Sequence, residues 1–168
     1  VGGLSGSGKS TLAGALAPLL GPAPGARWLR SDVLRKAWLG LEPLDRLPSE
    51  AYTAEASAIA YRRLFACAAD ALAAGHSVVL DAVFARSGER LAAEALAARI
   101  GVPFTGIWLD APTDVRVERV KQRTGDASDA GASVAVAQQG YDLGPIRWHR
   151  ISANTGPAAV LEQARHLC

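Results

Sequence analysis

The sequence predicts an α/β fold of three layers, in which helices cover both faces of a mainly parallel sheet. Short apolar stretches alternate along the chain with longer segments of helical periodicity, which is the order that βαβ units produce. The clearest apolar stretch, Val78 to Leu80, is hydrophobic at successive positions, as expected for a strand that is covered on both faces. The 168 residues, 49% hydrophobic and 20% charged, suit one globular domain spanning 1–168.

In the first half of the chain, apolar spacing and turn residues mark each element. Leucines recur at helical spacing after the glycine-rich start, and Gly21-Pro22 ends that helix. Ser31 and Asp32 can cap the next helix, and Gly75 ends a long alanine-rich one. The predicted elements are a helix over 12–20, a strand over 26–30, a helix around 33–37, a loop over 41–48 and a helix over 49–74.

The second half repeats the alternation of strand and helix. Its strands are short and apolar, Pro112 starts a helix rich in Arg and Lys, and a loop of small and acidic residues follows that helix. The predicted strands are 77–81, 104–110 and 146–152, the helices 88–100, 113–123, 134–139 and 157–167, and the acidic loop 124–133.

The strongest motif lies at the start of the chain and matches G-x-x-x-x-G-K-[ST]. In this phosphate-binding loop (P-loop), glycines let backbone N–H groups converge on phosphate oxygens at the positive end of a helix. Lys9 would reach the terminal phosphates and the Ser10 hydroxyl would bind Mg²⁺. The motif therefore predicts ATP and Mg²⁺ as ligands. The alternative is an accidental glycine-rich turn. The predicted nucleotide-binding residues are Gly3, Leu4, Ser5, Gly6, Ser7, Gly8, Lys9, Ser10 and Thr11.

A second acidic position distinguishes the classes of nucleotide-binding protein. Asp81 ends the predicted strand 77–81, where an aspartate would face Mg²⁺ or the acceptor, and a cap or turn role is its alternative. Its neighbour is Ala82, whereas a motor ATPase commonly has a glutamate there to activate water. The combination of Asp81 with Ala82 therefore favours phosphoryl transfer to an acceptor over hydrolysis.

The stretch after the second predicted strand contains Asp32 and Arg35. In an open α/β sheet, ligands gather at the carboxyl ends of strands. A carboxylate at Asp32 could take the proton of an acceptor hydroxyl, and the Arg35 guanidinium could hold an anionic group. From the residues alone, a helix cap at Asp32 with a solvated Arg35 is equally supported.

The basic helix 113–123 is a candidate for one side of a mobile lid, which we place at about 116–133. Arg119 and Arg123 are four apart and share a helix face, so they are the predicted catalytic lid residues. Arg116 and Lys121 are predicted to form a solvated face.

Two arginines and the tyrosines near these motifs carry weaker signals. Arg86 and Arg90 follow Asp81 and could line the acceptor pocket, although a surface role is equally supported. The side chains of Tyr52 and Tyr61 are predicted to pack against the core with their hydroxyls at its edge.

Four stretches of the sequence carry a resemblance to a known family, namely G-L-S-G-S-G-K-S-T, R-S-D-V-L-R-K, S-V-V-L-D-A-V-F and R-V-K-Q-R-T-G-D-A-S-D-A. Together they resemble the AAA-type predicted P-loop kinases, which are related to zeta toxins, polynucleotide 5′-kinases and gluconate or shikimate kinase-like enzymes. The resemblance implies a P-loop kinase fold of the nucleoside/shikimate kinase type. It implies an acceptor-activating carboxylate at Asp32, an acceptor-binding arginine at Arg35, and phosphate-binding lid arginines at Arg119 and Arg123.

The segment R-T-G-D-A-S-D-A looks most like predicted kinases that are often fused behind an aminoglycoside-phosphotransferase-like domain. Only Val1 and Gly2 precede the loop, where a complete strand is normal, so we expect the chain to be part of a longer polypeptide. Asp126, Ser128 and Asp129 belong to the resemblance but receive no role from it. Related kinases contact adenine, mostly through backbone, in the region that corresponds to Ile151 to Pro157, which makes Asn154 and Thr155 candidates for this contact.

The composition limits which binding partners and which cellular compartment we expect. A net charge of +2 with scattered arginines does not favour a dedicated nucleic-acid binder. No apolar run reaches the roughly 18 residues of a membrane span, and Cys67 and Cys168 form no metal or disulfide pattern. We expect a cytoplasmic kinase that phosphorylates a small-molecule hydroxyl. The alternatives are a polynucleotide 5′-hydroxyl kinase and a non-catalytic ATP-binding regulatory module.

Overall fold

Strands and helices alternate along the chain in the predicted order. The computed structural model describes residues 1–47, 53–123 and 125–168. The strands are β1 (Gly2–Gly3), β2 (Arg27–Arg30), β3 (Val78–Asp81), β4 (Ile107–Asp110) and β5 (His149–Ser152). The helices are α1 (Lys9–Leu16), α2 (Ser31–Trp38), α3 (Ala54–Ala73), α4 (Ser87–Ile100), α5 (Thr113–Gln122), α6 (Ala132–Ala137) and α7 (Pro157–Arg165), with short 3₁₀ turns at Ala17–Leu19 and Gln138–Gly140.

The strands form a parallel arrangement in the spatial order β2-β3-β1-β4-β5. Parallel ladders join β2 to β3 and join β1, β4 and β5 in that order. Backbone hydrogen bonds connect the two groups, since the Val1 nitrogen donates to the Leu80 carbonyl (2.7 Å) and the Gly3 N–H donates to the Val83 carbonyl (3.2 Å). The carboxyl ends of β3 and β2 therefore lie beside the start of the P-loop.

Helices cover both faces of the sheet, which confirms the predicted three layers. On one face, α1 and α7 bury Leu12, Leu16 and Val160 against Ile107 of β4 and Ile151 of β5. On the opposite face, α3 and α4 enclose a second core. That core contains Leu64, Ala68, Phe84, Leu96, Trp108 and Trp148. None of the described helices combines the length and hydropathy that a membrane crossing requires.

Several predicted boundaries are wrong by a few residues, for reasons of packing. The predicted strands 104–110 and 146–152 begin only at Ile107 and His149, and before them the rings of Phe104 and Trp148 pack against each other with centroids 5.7 Å apart. Trp148 is buried in the core there, and Phe104, although exposed, packs on its ring, so neither residue joins the ladder. The helix predicted over 134–139 is α6 followed by a 3₁₀ turn.

The start of α2 differs from the predicted cap. Arg30 occupies the cap position of α2, and Asp32 lies in the first helical turn, so the capping role proposed for Ser31 and Asp32 is wrong. The start of α3 is capped by Thr53, whose hydroxyl accepts a hydrogen bond from the Ala56 N–H (3.0 Å). The predicted helix start at 49, and Tyr52, lie outside the described residues.

Candidate active site

The P-loop wraps the amino end of α1. Gly8 occupies the cap position with φ 92°, no side chain caps the helix, and no acidic residue lies in its first turn. Gly6 has φ 83°, and a Cβ there would lie 2.3 Å from the Arg116 carbonyl oxygen, so this position requires glycine for conformation and for space. The first-turn N–H groups are thus left for an external anion, which favours phosphate.

Two cavities meet at Lys9. One, of about 240 Å³, contains the loop and basic residues of α5; its lining residues are Gly6, Gly8, Lys9, Ser10, Thr11, Arg119, Val120, Arg123 and Asp126. The other, of about 500 Å³, contains Lys9, Asp32, Arg35 and Tyr61 among its lining residues. Only 6% of Lys9 is exposed, and the residue lines both spaces. We call them the phosphate cavity and the acceptor cavity.

A third space continues from the phosphate cavity along the other side of the loop. This cavity of about 320 Å³ has a largely apolar lining that includes Leu12, Ala153, Thr155 and Pro157. Arg119 lines both spaces and donates a hydrogen bond to the Ala153 carbonyl (2.7 Å). A planar apolar base fits such a space, and Thr155 lies at it, whereas Asn154 is not among its described lining residues.

Asp81 supplies a carboxylate with an unsatisfied oxygen beside the loop. The residue is 3% exposed; its Oδ2 accepts from Arg30 Nε (3.3 Å), and its buried Oδ1 has no hydrogen-bond partner among the described residues. A buried carboxylate oxygen without a donor suits Mg²⁺ or a water bound to it. Mg²⁺ in nucleotide sites takes few protein ligands, so Asp81 and the Ser10 hydroxyl fit this ion by their donor chemistry.

The acceptor cavity brings together residues from distant parts of the chain. Asp32 and Arg35 come from α2, Tyr61 from α3, and exposed Arg86 from the turn after β3. Sequence patterns group Asp32 with Arg35, but give no sign that Tyr61 joins them.

Arg90 does not line this cavity, so its predicted acceptor-binding role is wrong. Its guanidinium is buried and donates to the carbonyls of Phe84 (2.7 Å), Ala85 (2.9 Å) and Leu143 (2.5 Å). The arginine therefore fixes the turn after β3 and the loop before β5. A sequence signal for this role is lacking, because the acceptors are backbone carbonyls.

Tyr61, which lines the acceptor cavity, is hydrogen-bonded to a strained turn at Phe84. Phe84 has φ 52°, a left-handed conformation that is unusual for an aromatic residue, and its N–H donates to the Tyr61 hydroxyl (2.7 Å). Burial, and then the charge of Glu89, raise the pKa of Tyr61 well above its ordinary value of 10.0. The phenol therefore stays protonated, and its O–H forms a hydrogen bond with the Glu89 carboxylate.

Arg116 is a buried structural residue, so the solvated face predicted for it is wrong. It is 2% exposed and donates to the carbonyls of Ser5 (3.3 Å) and Ala135 (3.1 Å) and to the Thr113 hydroxyl (3.2 Å). It thereby connects the P-loop to α6. Lys121, one turn further, is exposed as predicted.

The acidic segment, which we define as residues 125–131, is attached to the strand edge by Asp126. Its carboxylate accepts from Arg30 Nη2 (2.5 Å) and from Arg123 Nη1 (3.0 Å), and Arg123 Nη2 also donates to the Ala130 carbonyl (2.8 Å). Burial raises the pKa of Asp126, but the hydrogen bonds and charges of Arg30 and Arg123 outweigh it and lower that pKa below 3.8. An ion-paired chain thus runs from Asp81 through Arg30 to Asp126 and Arg123.

Asp129 attaches the same segment to α2. It forms an ion pair with Lys36 Nζ (3.1 Å) and accepts from the Leu47 N–H (3.1 Å). Lys36 is fully buried and also donates to the Pro43 carbonyl (3.0 Å). Asp126 and Asp129, which receive no role from the sequence, therefore hold the segment over the acceptor cavity, where Ser128 and Ala130 line it.

Gln138 is a further contact of the P-loop that the sequence analysis misses. It lies in the 3₁₀ turn after α6, is 6% exposed, and its Oε1 accepts from the Ser5 N–H (2.7 Å). It also lines the acceptor cavity together with Lys9 and Asp32. A single glutamine 133 residues from its partner carries no spacing signal that a sequence could reveal.

Comparison with known proteins assigns the family. A family model described as "AAA domain" matches residues 1–141. The chain belongs to this AAA domain family. An AAA-domain relative of similar sequence is the uncharacterized protein Rv2004c of Mycobacterium tuberculosis, 31% identical over 175 aligned positions that cover 99% of this chain. A protein of Mycobacterium bovis matches with the same identity, and the chain spans about a third (34%) of the length of these relatives.

Solved structures confirm a P-loop kinase fold for this AAA domain. The APS kinase CysC of M. tuberculosis, determined with AMPPNP and APS, is similar with a TM-score of 0.70 and 23% identity, over 99% of this chain and 93% of that one. A sugar kinase from Janibacter sp. gives 0.68 and 21%, over 98% and 90%. Kti12 of Chaetomium thermophilum, determined with ADP-AlF3, gives 0.67 and 19%, over 99% and 96%.

Proposed function

We propose that the protein transfers the γ-phosphate of ATP to a hydroxyl group of a small-molecule acceptor. The observation that carries the proposal is the position of Lys9, which lines both the phosphate cavity and the acceptor cavity. In P-loop proteins this lysine reaches the β- and γ-phosphates, so the group to be transferred would lie where the two spaces meet. The presence of Asp32 on the far side supports transfer to an acceptor.

On the donor side, charge neutralisation is the main task. Loop N–H groups and Lys9 hold the β- and γ-phosphates, and Arg119 and Arg123 line the same cavity as counter-charges. Mg²⁺, held by Ser10 and Asp81, would neutralise phosphate charge when bound. The apolar cavity beside Ala153 takes the adenine.

On the acceptor side, Asp32 orients the hydroxyl and accepts its proton. The acceptor oxygen forms a bond to the γ-phosphorus, the bond from that phosphorus to the β,γ-bridging oxygen breaks, and ADP leaves with that electron pair. Arg35 binds a polar or anionic group of the acceptor, and the neutral Tyr61 side chain lines the cavity beside it. These three side chains set which hydroxyl reaches the phosphate.

The acidic segment acts as the lid of this site. Ser128 and Ala130 form part of the wall of the acceptor cavity, and ion pairs to Arg30 and Lys36 hold them there. Excluding water protects the γ-phosphate from hydrolysis, in keeping with Ala82, which offers no side chain to activate water.

Labelled ATP incubated with a panel of acceptors tests the proposal. The panel contains sugars, sugar acids, amino sugars, aminoglycosides, nucleosides, APS and a 5′-hydroxyl oligonucleotide, each with wild type and with Asp32→Asn. We expect a labelled small-molecule product that depends on Asp32. Labelling of the oligonucleotide alone would identify a polynucleotide 5′-kinase. Tight ADP binding without any product would identify an ATP-binding regulatory module, and either result would overturn the proposal.

A further inference from the structure

Gln138 and Arg116 hold both backbone groups of one P-loop residue. The Ser5 N–H donates to Gln138 Oε1 (2.7 Å), and the Ser5 carbonyl accepts from Arg116 Nη1 (3.3 Å). Arg116 Nη1 also donates to the Ala135 carbonyl (3.1 Å), which anchors α6 just before Gln138. The position of the Gln138 side chain relative to the loop is therefore fixed from two directions.

The partner of Gln138 also settles which way its amide group faces. A backbone N–H can only donate, so the side-chain atom that meets Ser5 must be the carbonyl oxygen. The two N–H donors of Nε2 are then directed away from Ser5. Gln138, Ser5 and Lys9 line the same cavity, so the Gln138 side chain lies on the side of the loop where Lys9 would meet the terminal phosphate.

We propose that Gln138 binds the transferring phosphoryl group: Oε1 accepts from Ser5 and orients the side chain, and Nε2 donates to a γ-phosphate oxygen. This inference rests on the proposed function for the identity of the donor, ATP. A donor already oriented by the loop needs no rearrangement when negative charge develops on the phosphoryl oxygens, which is the condition for electrostatic stabilisation of a transition state. Gln138 would then be a catalytic residue on the acceptor side of the phosphate.

Two substitutions separate this role from a purely structural one. Gln138→Glu keeps an oxygen that accepts from Ser5 and replaces the Nε2 donor with a second, negatively charged oxygen. Gln138→Met removes both functions in a side chain of similar length. Gln139→Glu is the matched control, because it makes the same change of charge at the adjacent, exposed position.

Nucleotide affinities give a readout that does not need an acceptor. We expect Gln138→Glu to weaken binding of AMPPNP, which has a γ-phosphate, by roughly tenfold or more, while ADP affinity changes by no more than about twofold. Gln138→Met should show the same selectivity with a smaller loss, and Gln139→Glu should bind both nucleotides like wild type. With an acceptor in hand, Gln138→Glu should lower kcat by about 10²-fold.

Equal losses of ADP and AMPPNP affinity in both variants would overturn the inference, because a residue that only shapes the loop affects both nucleotides. Unchanged AMPPNP affinity in Gln138→Glu would overturn it as well. If Gln138→Glu does not fold, the AMPPNP and ADP affinities of Gln138→Met provide the same comparison. A wild type without transfer activity would contradict the proposed function, whereas selective loss of AMPPNP binding would still support contact with the γ-phosphate.

Discussion

The P-loop and the acidic segment both line the phosphate and acceptor cavities, but they are held in place in different ways. The turns of the P-loop are formed by its own backbone, since the Ser7 N–H donates to the Leu4 carbonyl (3.0 Å) and glycines adopt positive φ, while Gln138 and Arg116 hold Ser5 from outside. The acidic segment is fixed by charges from far along the chain. Asp126 and its partner Arg30 are 96 residues apart.

This difference suggests that the donor site is formed before the nucleotide binds, whereas the acidic segment closes over the acceptor site afterwards. Backbone turns built on glycine persist whatever is bound, so the phosphate site is ready before the nucleotide arrives. In the acidic segment, the ion pair of Asp126 with Arg30 joins partly exposed side chains and is weak enough to open and re-form, whereas Asp129 holds its end more firmly through the buried Lys36. We therefore expect damage to the loop to abolish both binding and transfer, and damage to the acidic segment to spare nucleotide binding.

The largest expected effect is on the donor side. Lys9→Met should lower the transfer rate by on the order of 10³-fold or more, because the ammonium neutralises charge on the terminal phosphates. ADP affinity should fall as well, and calorimetry measures it directly. Lys121→Met, at an exposed position of α5, is the control that should leave both quantities unchanged. A Lys9→Met protein that transfers phosphate normally would exclude the proposed donor site.

A stability effect of intermediate size is expected where the acidic segment meets α2. Asp129→Ala leaves the fully buried Lys36 ammonium without this carboxylate, which should lower the free energy of unfolding by about 3 kcal/mol. Lys36→Met removes the buried charge itself and should cost less. Urea unfolding of both variants gives the two values, while ADP affinity should stay near that of wild type. A larger loss of unfolding free energy in Lys36→Met than in Asp129→Ala would contradict the buried ion pair that we assign to these residues.

The smallest effect concerns Asp126 and has a defined pH dependence. Because its pKa in the folded protein lies below 3.8, the stability it contributes is complete above that value and is lost as pH falls through the lowered pKa. Asp126→Asn should therefore cost about 1 kcal/mol at pH 6, with a difference from wild type that shrinks below pH 3.8. Chemical denaturation across this range measures it, and exposed Asp114→Asn is the control. A difference that grows on acidification would contradict the ion pairs assigned to Asp126.

The contrast between the P-loop and the acidic segment also explains which features of the fold and the site can be predicted from the sequence. The P-loop, the order of strands and helices, and the neighbouring positions of Asp32 and Arg35 depend on local spacing, so they could be predicted. Arg116 and Arg119 illustrate the limit, because they lie on one helix, three residues apart. Burial against Ser5 makes the first structural, while the second lines the phosphate cavity, and helical periodicity does not separate them.

The acceptor cavity was harder to predict because its residues come together only through tertiary packing. Tyr61 and Gln138 reach it from α3 and from the turn after α6, and each is held by a backbone N–H. Arg90 shows the reverse error: its position after Asp81 suggested the pocket, yet backbone carbonyls bury it elsewhere. Contacts between a side chain and the backbone leave no residue pattern, so such roles become visible only in the fold.

Lys9 stands between the proposed donor site and an acceptor site in which we propose that Asp32 activates a hydroxyl. The most direct test measures kcat and ADP affinity in Asp32→Asn, with Asp70→Asn on the exposed face of α3 as the matched control. Because a general base contributes through its carboxylate, we expect kcat to fall by about 10² to 10⁴-fold in Asp32→Asn. We also expect ADP affinity within about twofold of wild type, and normal values for both quantities in the control. Full transfer activity in Asp32→Asn would contradict the claim.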